Sequence, residues 1–219
     1  MTMIRRHWKG FAAIFLAGML LGCGTEATDT PNADTKVETD TTATDTGEGP
    51  ERQVYVGAVD GTNALAAMVY EMGLVSFYVC GHGETLESHT RWFNGAPVGP
   101  MFNLNTEGWS TTGTVGGDTV TGHLQDPDGQ DLNWTLHRVE AGLSHLYSAM
   151  HSDCRTGVIV VDDGREEPAV QGAWCNGEGL IKQVTPMLPL ALTFDGLEIS
   201  VDLDTGPVSF FVQPHEIPY

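Results

Sequence analysis

The sequence predicts an all-β domain, an antiparallel meander barrel or two-sheet sandwich of about ten strands. Short runs rich in Val, Leu, Thr and aromatics recur between Gly, Asp and Pro turn signals from Val54 onward. Several of these runs alternate apolar and polar residues with the period of a half-buried strand. Runs of helix formers are nearly absent.

Val54–Val59 opens the series and ends at the turn Asp60-Gly61. Ala64–Tyr70 and Leu74–Cys80 flank Glu71-Met72-Gly73, a short glycine-containing hairpin loop. Both strands are apolar at nearly every position, which places them centrally. Leu86, Ser88, Thr90 and Trp92 alternate with Glu87, His89, Arg91 and Phe93, predicting a half-exposed strand. Trp109–Val115 and Thr119–Leu124 form a hairpin around Val115-Gly116-Gly117-Asp118. Asp126-Pro127-Asp128-Gly129 then turns the chain into Leu132–Val139, where Leu132, Trp134 and Leu136 share a face. Ala141–Met150 fits a short helix, a loop or a strand, because Gly142 and its length weaken the helix. Arg155–Val161, Ala169–Cys175 and Leu180–Thr185 follow, and Leu197–Leu203 pairs with Val208–Val212 around Asp204-Thr205-Gly206-Pro207. No repeat has a fixed period.

Gly113 and the TVGGDTVTGHL run that ends at Leu124 resemble the hairpins of avidin- and lipocalin-type barrels. That resemblance implies a barrel hairpin and carries no ligand with it. The layout as a whole resembles the uncharacterised extracytoplasmic β-domains of bacterial lipoproteins, which implies an address and a fold.

The N-terminus carries a different signal. Arg5, Arg6 and Lys9 precede an eleven-residue apolar run, Phe11–Leu21, softened by Gly18. A bilayer-spanning helix needs about 20 residues, so this run is too short to span. A basic start, a short apolar run and a small residue before the cut are features of a signal peptide. Leu20-Leu21-Gly22-Cys23 resembles a bacterial lipobox. The resemblance implies removal of residues 1–22 and a diacylglyceryl thioether, usually with an added N-acyl chain, on Cys23. Two or three acyl chains anchor stably where one does not. The expected partner is therefore a membrane, reached through the N-terminal lipid. Gly24 follows the cysteine where inner-membrane retention uses Asp, so a Gram-negative host is expected to send the protein to its outer membrane.

Residues 23–50 form the lipidated cysteine and a tether. The 27 residues after Cys23 hold nine Thr, seven Asp or Glu and a single Val, too little apolar surface to offset chain entropy. This segment is expected to be disordered, spanning ~30 Å root-mean-square as a flexible coil. Its contour limit is ~90 Å. Residues 51–219 are long enough for a single all-β domain. The formal charge is −19, and removal of the three basic residues of the leader makes it more negative still. A field of that sign opposes nucleic acid and anionic lipid surfaces.

With Cys23 lipidated, Cys80, Cys154 and Cys175 remain, and an oxidising envelope permits one disulfide. A hairpin around the polar loop Asp162–Pro168 is expected to set Cys154 opposite Cys175, Thr156 opposite Ala173 and Val158 opposite Gln171. Directly opposed side chains share a face with close Cβ atoms. A Cys154–Cys175 bond would contribute ~3 kcal/mol in the chain-entropy model. Cys80, ending an apolar strand, reads as a buried thiol. The same register sets Trp174 opposite Arg155, within reach of a cation–π contact.

Motifs for chemistry are weak. Cys80-Gly81-His82 and His151-Ser152-Asp153-Cys154 bring candidate ligands together, but neither has a zinc-pair spacing, and the histidines are expected on the surface or in turns. No metal site or cofactor is predicted. Asp126, Asp128 and Asp131 around Gly129 are oxygen-rich, yet His137 stands where a calcium loop would place its bidentate Glu. A turn is the better reading there and at Asp162-Asp163-Gly164. No nucleophile elbow, zincin motif or phosphate loop is present. Glu166-Glu167 is expected to face solvent, and His151-Ser152-Asp153 cannot fold onto itself as a relay. Trp92, Trp109, Trp134 and Trp174 lie on separate strands and either share a ligand cavity or fill core volume. The expected function is a lipid-anchored cell-envelope protein acting as a binding or structural module. The alternatives are an envelope hydrolase with a site assembled from distant strands and a calcium-stabilised adhesion-type module.

Overall fold

The computed structural model describes residues 52–140, 142–151 and 153–218. Cys23, the apolar run before it and the threonine-rich run lie outside the described residues. The described chain is all-β and antiparallel, with fifteen strands where about ten were expected.

The first sheet contains β1 (Gln53–Val59), β2 (Leu65–Glu71), β3 (Leu74–Cys80) and β4 (Arg91–Gly95). It continues with β5 (Met101–Thr106), β6 (Trp109–Thr114), β7 (Thr119–Gln125) and β8 (Asp131–Val139). Its order is β4-β3-β2-β1-β8-β7-β6-β5, an up-and-down circuit that lacks only a ladder between β4 and β5. The second sheet contains β9 (His145–His151), β10 (Cys154–Val161), β11 (Ala169–Cys175) and β12 (Ile181–Pro186). The short β13 (Leu192–Thr193), β14 (Gly196–Leu203) and β15 (Gly206–Pro214) complete it. Pairing of β12 with β14 and of β15 with β9 closes six of these strands into a barrel, with β13 appended to β14.

Three apolar layers follow from the two-residue period of the strands. Tyr55, Phe77, Phe93, Phe102 and Trp134 fill the interior of the first sheet. Tyr147, Val158, Val160, Trp174 and Ile199 fill the interior of the second. Between them runs a seam, where Val54, Val56, Ala67 and Tyr78 meet Leu146, Ile159 and Ala173. The continuous apolar character of β2 and β3 now has its cause. One face of each looks into the first barrel, and the other packs on the second.

Several expectations need correction. Leu86–Phe93 is not one strand: a 3-10 turn, Gly83–Thr85, and a short helix, Leu86–His89, precede β4. Only Leu86 in that helix is buried, so its alternation had no sheet face behind it. Of the three readings left open for Ala141–Met150, the strand is the one present, as β9. β5 follows a glycine- and proline-rich stretch and was not anticipated; it pairs with β6 through the two-residue turn Glu107-Gly108, both residues with positive φ. Met72-Gly73 makes the same kind of turn between β2 and β3. A positive φ at both central positions suits the twist of a hairpin.

The β10–β11 ladder is one residue out from the expected register. Val161 faces Ala169 and Gly157 faces Ala173, because the seven-residue loop between them is symmetric about Arg165. Cys154 and Cys175 are nonetheless joined, with Cα atoms 5.8 Å apart. Cys154 lies beyond Gly157, the last β10 residue in that ladder, and reaches Cys175 from where the strands separate. Cys80 is a free buried thiol, and burial pushes it up to about 11.

Candidate functional site

One mouth of the seam opens as a cleft of about 400 Å³, a size that suits a small ligand. Five strands contribute to it, with Thr106 at the end of β5 among the lining residues. β4 supplies Arg91 and Trp92, the start of β10 supplies Cys154 and Arg155, β11 supplies Ala173 and Cys175, and Ile181 begins β12. The disulfide is therefore part of its wall.

Trp92 is held by its surroundings before any ligand arrives. Its indole N–H donates to the Arg155 carbonyl at 3.3 Å, and Tyr78 lies 4.3 Å from it, centroid to centroid. This packing requires glycine at 157, since a Cβ there would collide with both Tyr78 and Trp92. The Arg155 guanidinium sits 5.1 Å from the centre of the Trp92 ring. The expected partner, Trp174, instead faces the second barrel interior and has His151 5.7 Å from its ring. The register shift removes the predicted Arg155–Trp174 pairing.

The two arginines of the cleft differ. Arg91 is 3.2 Å from a Glu107 oxygen and lies over Trp109 at 6.0 Å, so it is engaged. Arg155 has no ion pair among the described residues. Burial lowers its guanidinium from the usual value, with no carboxylate raising it again. Asp153 lines the mouth but is exposed.

Behind Trp92 lies a polar chain that joins the two sheets. Ser148 on β9 is 2.9 Å from His215 Nδ1, and His215 Nε2 is 2.9 Å from Ser76 Oγ on β3. Ser76 in turn donates to Asn94 Oδ1 at 2.9 Å. With its proton given to Asn94, the Ser76 oxygen accepts from Nε2–H, and Ser148 donates to Nδ1. His215 is thus neutral with both nitrogens used. Its ring lies 4.7 Å from Trp92, and Arg52 donates to its carbonyl. Burial is the main cause that brings its pKa down to about 3, followed by the charges of Arg155, Arg52 and His145. His215 was expected at the surface; only 1% of it is exposed. No spacing in the sequence marks it, because it follows the end of β15 and its partners come from β3, β4 and β9.

This geometry bears on hydrolysis. Ser148 with His215 pairs a hydroxyl with an imidazole, as a nucleophile and base would be. Burial makes this imidazole a poor general base, and its far nitrogen meets a serine instead of a carboxylate. The arrangement is that of a satisfied polar brace. A larger but shallower groove, about 640 Å³, passes Arg52, Ser148, Met150 and Glu216. Its arginine is already bound to the His215 carbonyl.

The other candidates disperse. His82, His123, His137 and His151 are exposed, and His145 is half-buried with Nδ1 2.6 Å from the Leu146 carbonyl oxygen. Cys80 is buried whereas His82 is exposed, and Cys154 is consumed by the disulfide. Among the described residues no three His, Cys, Asp or Glu side chains gather as a metal group. Asp126 Oδ1 accepts from the backbone of Asp128 at 2.9 Å and of Gln130 at 2.8 Å, tying a turn. Asp162 and Asp163 cap their own loop, with Asp163 accepting from Arg165 at 2.7 Å, and Glu166-Glu167 is exposed. The four tryptophans share no cavity: Trp109 and Trp134 pack in the first barrel, Trp174 in the second, and Trp92 alone lines the cleft. Compared with protein-family models, with curated proteins and with solved structures, the chain has no match.

Proposed function

We propose that this protein is a lipid-anchored cell-envelope protein whose β-domain is a binding module. The observation that carries the reading is Leu20-Leu21-Gly22-Cys23 directly behind a short apolar run with a basic start. Acyl chains on Cys23 tether it to a membrane, and the acidic threonine-rich run spaces the domain from the headgroups. In a Gram-negative host that membrane is the outer one. The Cys154–Cys175 disulfide is consistent with an oxidising compartment. The seam cleft is a concave surface with an aromatic wall and a cation that has no ion pair among the described residues, which supports binding over a purely structural role.

Metabolic labelling with palmitate, followed by immunoprecipitation, tests the anchor. Label is expected on the wild-type chain and none on Cys23→Ser, and globomycin is expected to accumulate the unprocessed precursor. Label retained by Cys23→Ser would sink the reading.

A further inference from the structure

Arg155 differs from Arg91, the other arginine of the cleft. The chain carries 29 acidic against 10 basic residues, so carboxylate partners are plentiful. Arg165 has one in Asp163 and Arg91 has one in Glu107. Arg155 is half-buried in the cleft and has none among the described residues. A partly desolvated charge without a counter-ion is costly, and a ligand that brings one recovers that cost. Its guanidinium is also oriented beforehand, since it rests on the Trp92 ring. That ring is itself braced by Tyr78 and His215. A planar fork held this way suits a carboxylate, which it meets with two parallel hydrogen bonds.

The remaining walls specify the rest of the ligand. Ala173, Ile181 and the disulfide give the cleft an apolar side. Glu107 and Asp153 at its mouth oppose a second negative charge. We propose that the seam cleft binds a small monocarboxylate with an apolar body, its carboxylate on Arg155 and its body against the disulfide and Ile181. This goes beyond the anchoring proposal and does not depend on it.

The test uses the mature chain, Cys23–Tyr219, carrying Cys23→Ser to omit the lipid. Phenylacetate, phenylacetamide and phenylmalonate are titrated, followed by ligand-detected NMR and by tryptophan fluorescence, which Trp92 reports. Phenylacetate is expected to bind about tenfold or more tighter than the neutral amide, the worth of one charged hydrogen-bond pair. The dianionic phenylmalonate is expected to bind more weakly than phenylacetate. Arg155→Gln is expected to abolish the preference for acid over amide, and Arg155→Lys to keep part of it, with circular dichroism checking the fold. Should Arg155→Gln fail to fold, Arg155→Lys and the acid-to-amide ratio on the unsubstituted cleft decide the matter. Equal binding of acid and amide, no binding of the acid, or a preference that survives Arg155→Gln overturns the proposal. Any of these leaves palmitate labelling untouched, so the two proposals fail separately.

Discussion

The first barrel is filled largely with rings and the second largely with aliphatic side chains. Phe77, Phe93, Phe102 and Trp134 meet at the centre of the first, with Phe77 and Trp134 centroids 5.1 Å apart. Val158, Val160, Val184, Ile199, Val201 and Val212 dominate the second. The strand count explains the difference, since barrel diameter grows with strand number. An eight-stranded circuit either holds a small ligand or must be filled by bulky residues, and here aromatics fill it. Six strands leave a narrower space that β-branched residues occupy. Trp134 fits only because Gly113 and Gly122, on two neighbouring strands, have no Cβ beneath its ring. Thr111 accepts its indole N–H at 3.1 Å, so the ring is buried with its polar atom satisfied. Closure differs as well. The smaller barrel is sealed by backbone ladders and carries the disulfide, whereas the β4–β5 gap of the larger is spanned by the Arg91–Glu107 ion pair.

The comparison can be broken most directly at Trp134. Trp134→Ala removes the ring that fills the first barrel and is expected to cost ~4 kcal/mol, read from the urea midpoint. Ile199→Val in the second barrel is expected to cost only ~1 kcal/mol. Similar losses at both sites would show that the two interiors do not differ as described.

Acid is expected to act on the seam that joins the barrels. The unfolded chain takes a proton on His215 below its ordinary pKa of ~6.5, while the folded chain refuses it until about 3. Stability from this group is therefore full above pH ~6.5 and is lost as pH falls toward 3. Its ceiling is on the order of 5 kcal/mol, taking ~1.4 kcal/mol per pKa unit over that window. Stability measured against pH for the wild type and for His215→Gln should diverge in slope between those limits. Parallel curves would remove the brace from the account of the seam.

The disulfide sharpens the contrast from the other side. Replacing Cys154 and Cys175 with serine is expected to cost ~3 kcal/mol. Hydrogen exchange should rise first in β10 and β11, with β6 and β7 little changed. A smaller loss than that of the disulfide is expected at Gly157 in the seam. Gly157→Ala should cost ~2 kcal/mol through overpacking of Tyr78 and Trp92. Pairing it with Trp92→Leu should recover part of that cost, and a cycle without coupling would place the strain elsewhere.

Much of the fold is legible because it rests on local periods. β1 to β3, β6 to β8 and the final hairpin follow from alternation and turn residues close to where they stand. β13 has two residues and β9 has Ser, His and Met among its seven, so neither shows a usable pattern. The candidate site was far less legible. Arg155 and Trp92 lie 63 residues apart and meet only because two sheets pack face to face. His215 has the same origin, as Ser76 is 139 residues away. The disulfide shows a pairing foreseen for an imperfect reason: the partners are right, and the ladder that was to oppose them is shifted by one.

The sequence by itself determined the all-β class, most strands, the Cys154–Cys175 pairing and the expectation of a lipidated Cys23. Each depends on neighbours in the chain or on a single hairpin, where spacing fixes geometry. Only the tertiary structure decided that the strands divide into two circuits. It also decided that β2 and β3 are buried on both faces, that His215 braces the seam, and that Arg155 lies in a cleft without a counter-ion among the described residues. Those outcomes arise from contacts between strands far apart in sequence. Side chains on opposite sides of the seam carry no mark of one another until the sheets pack.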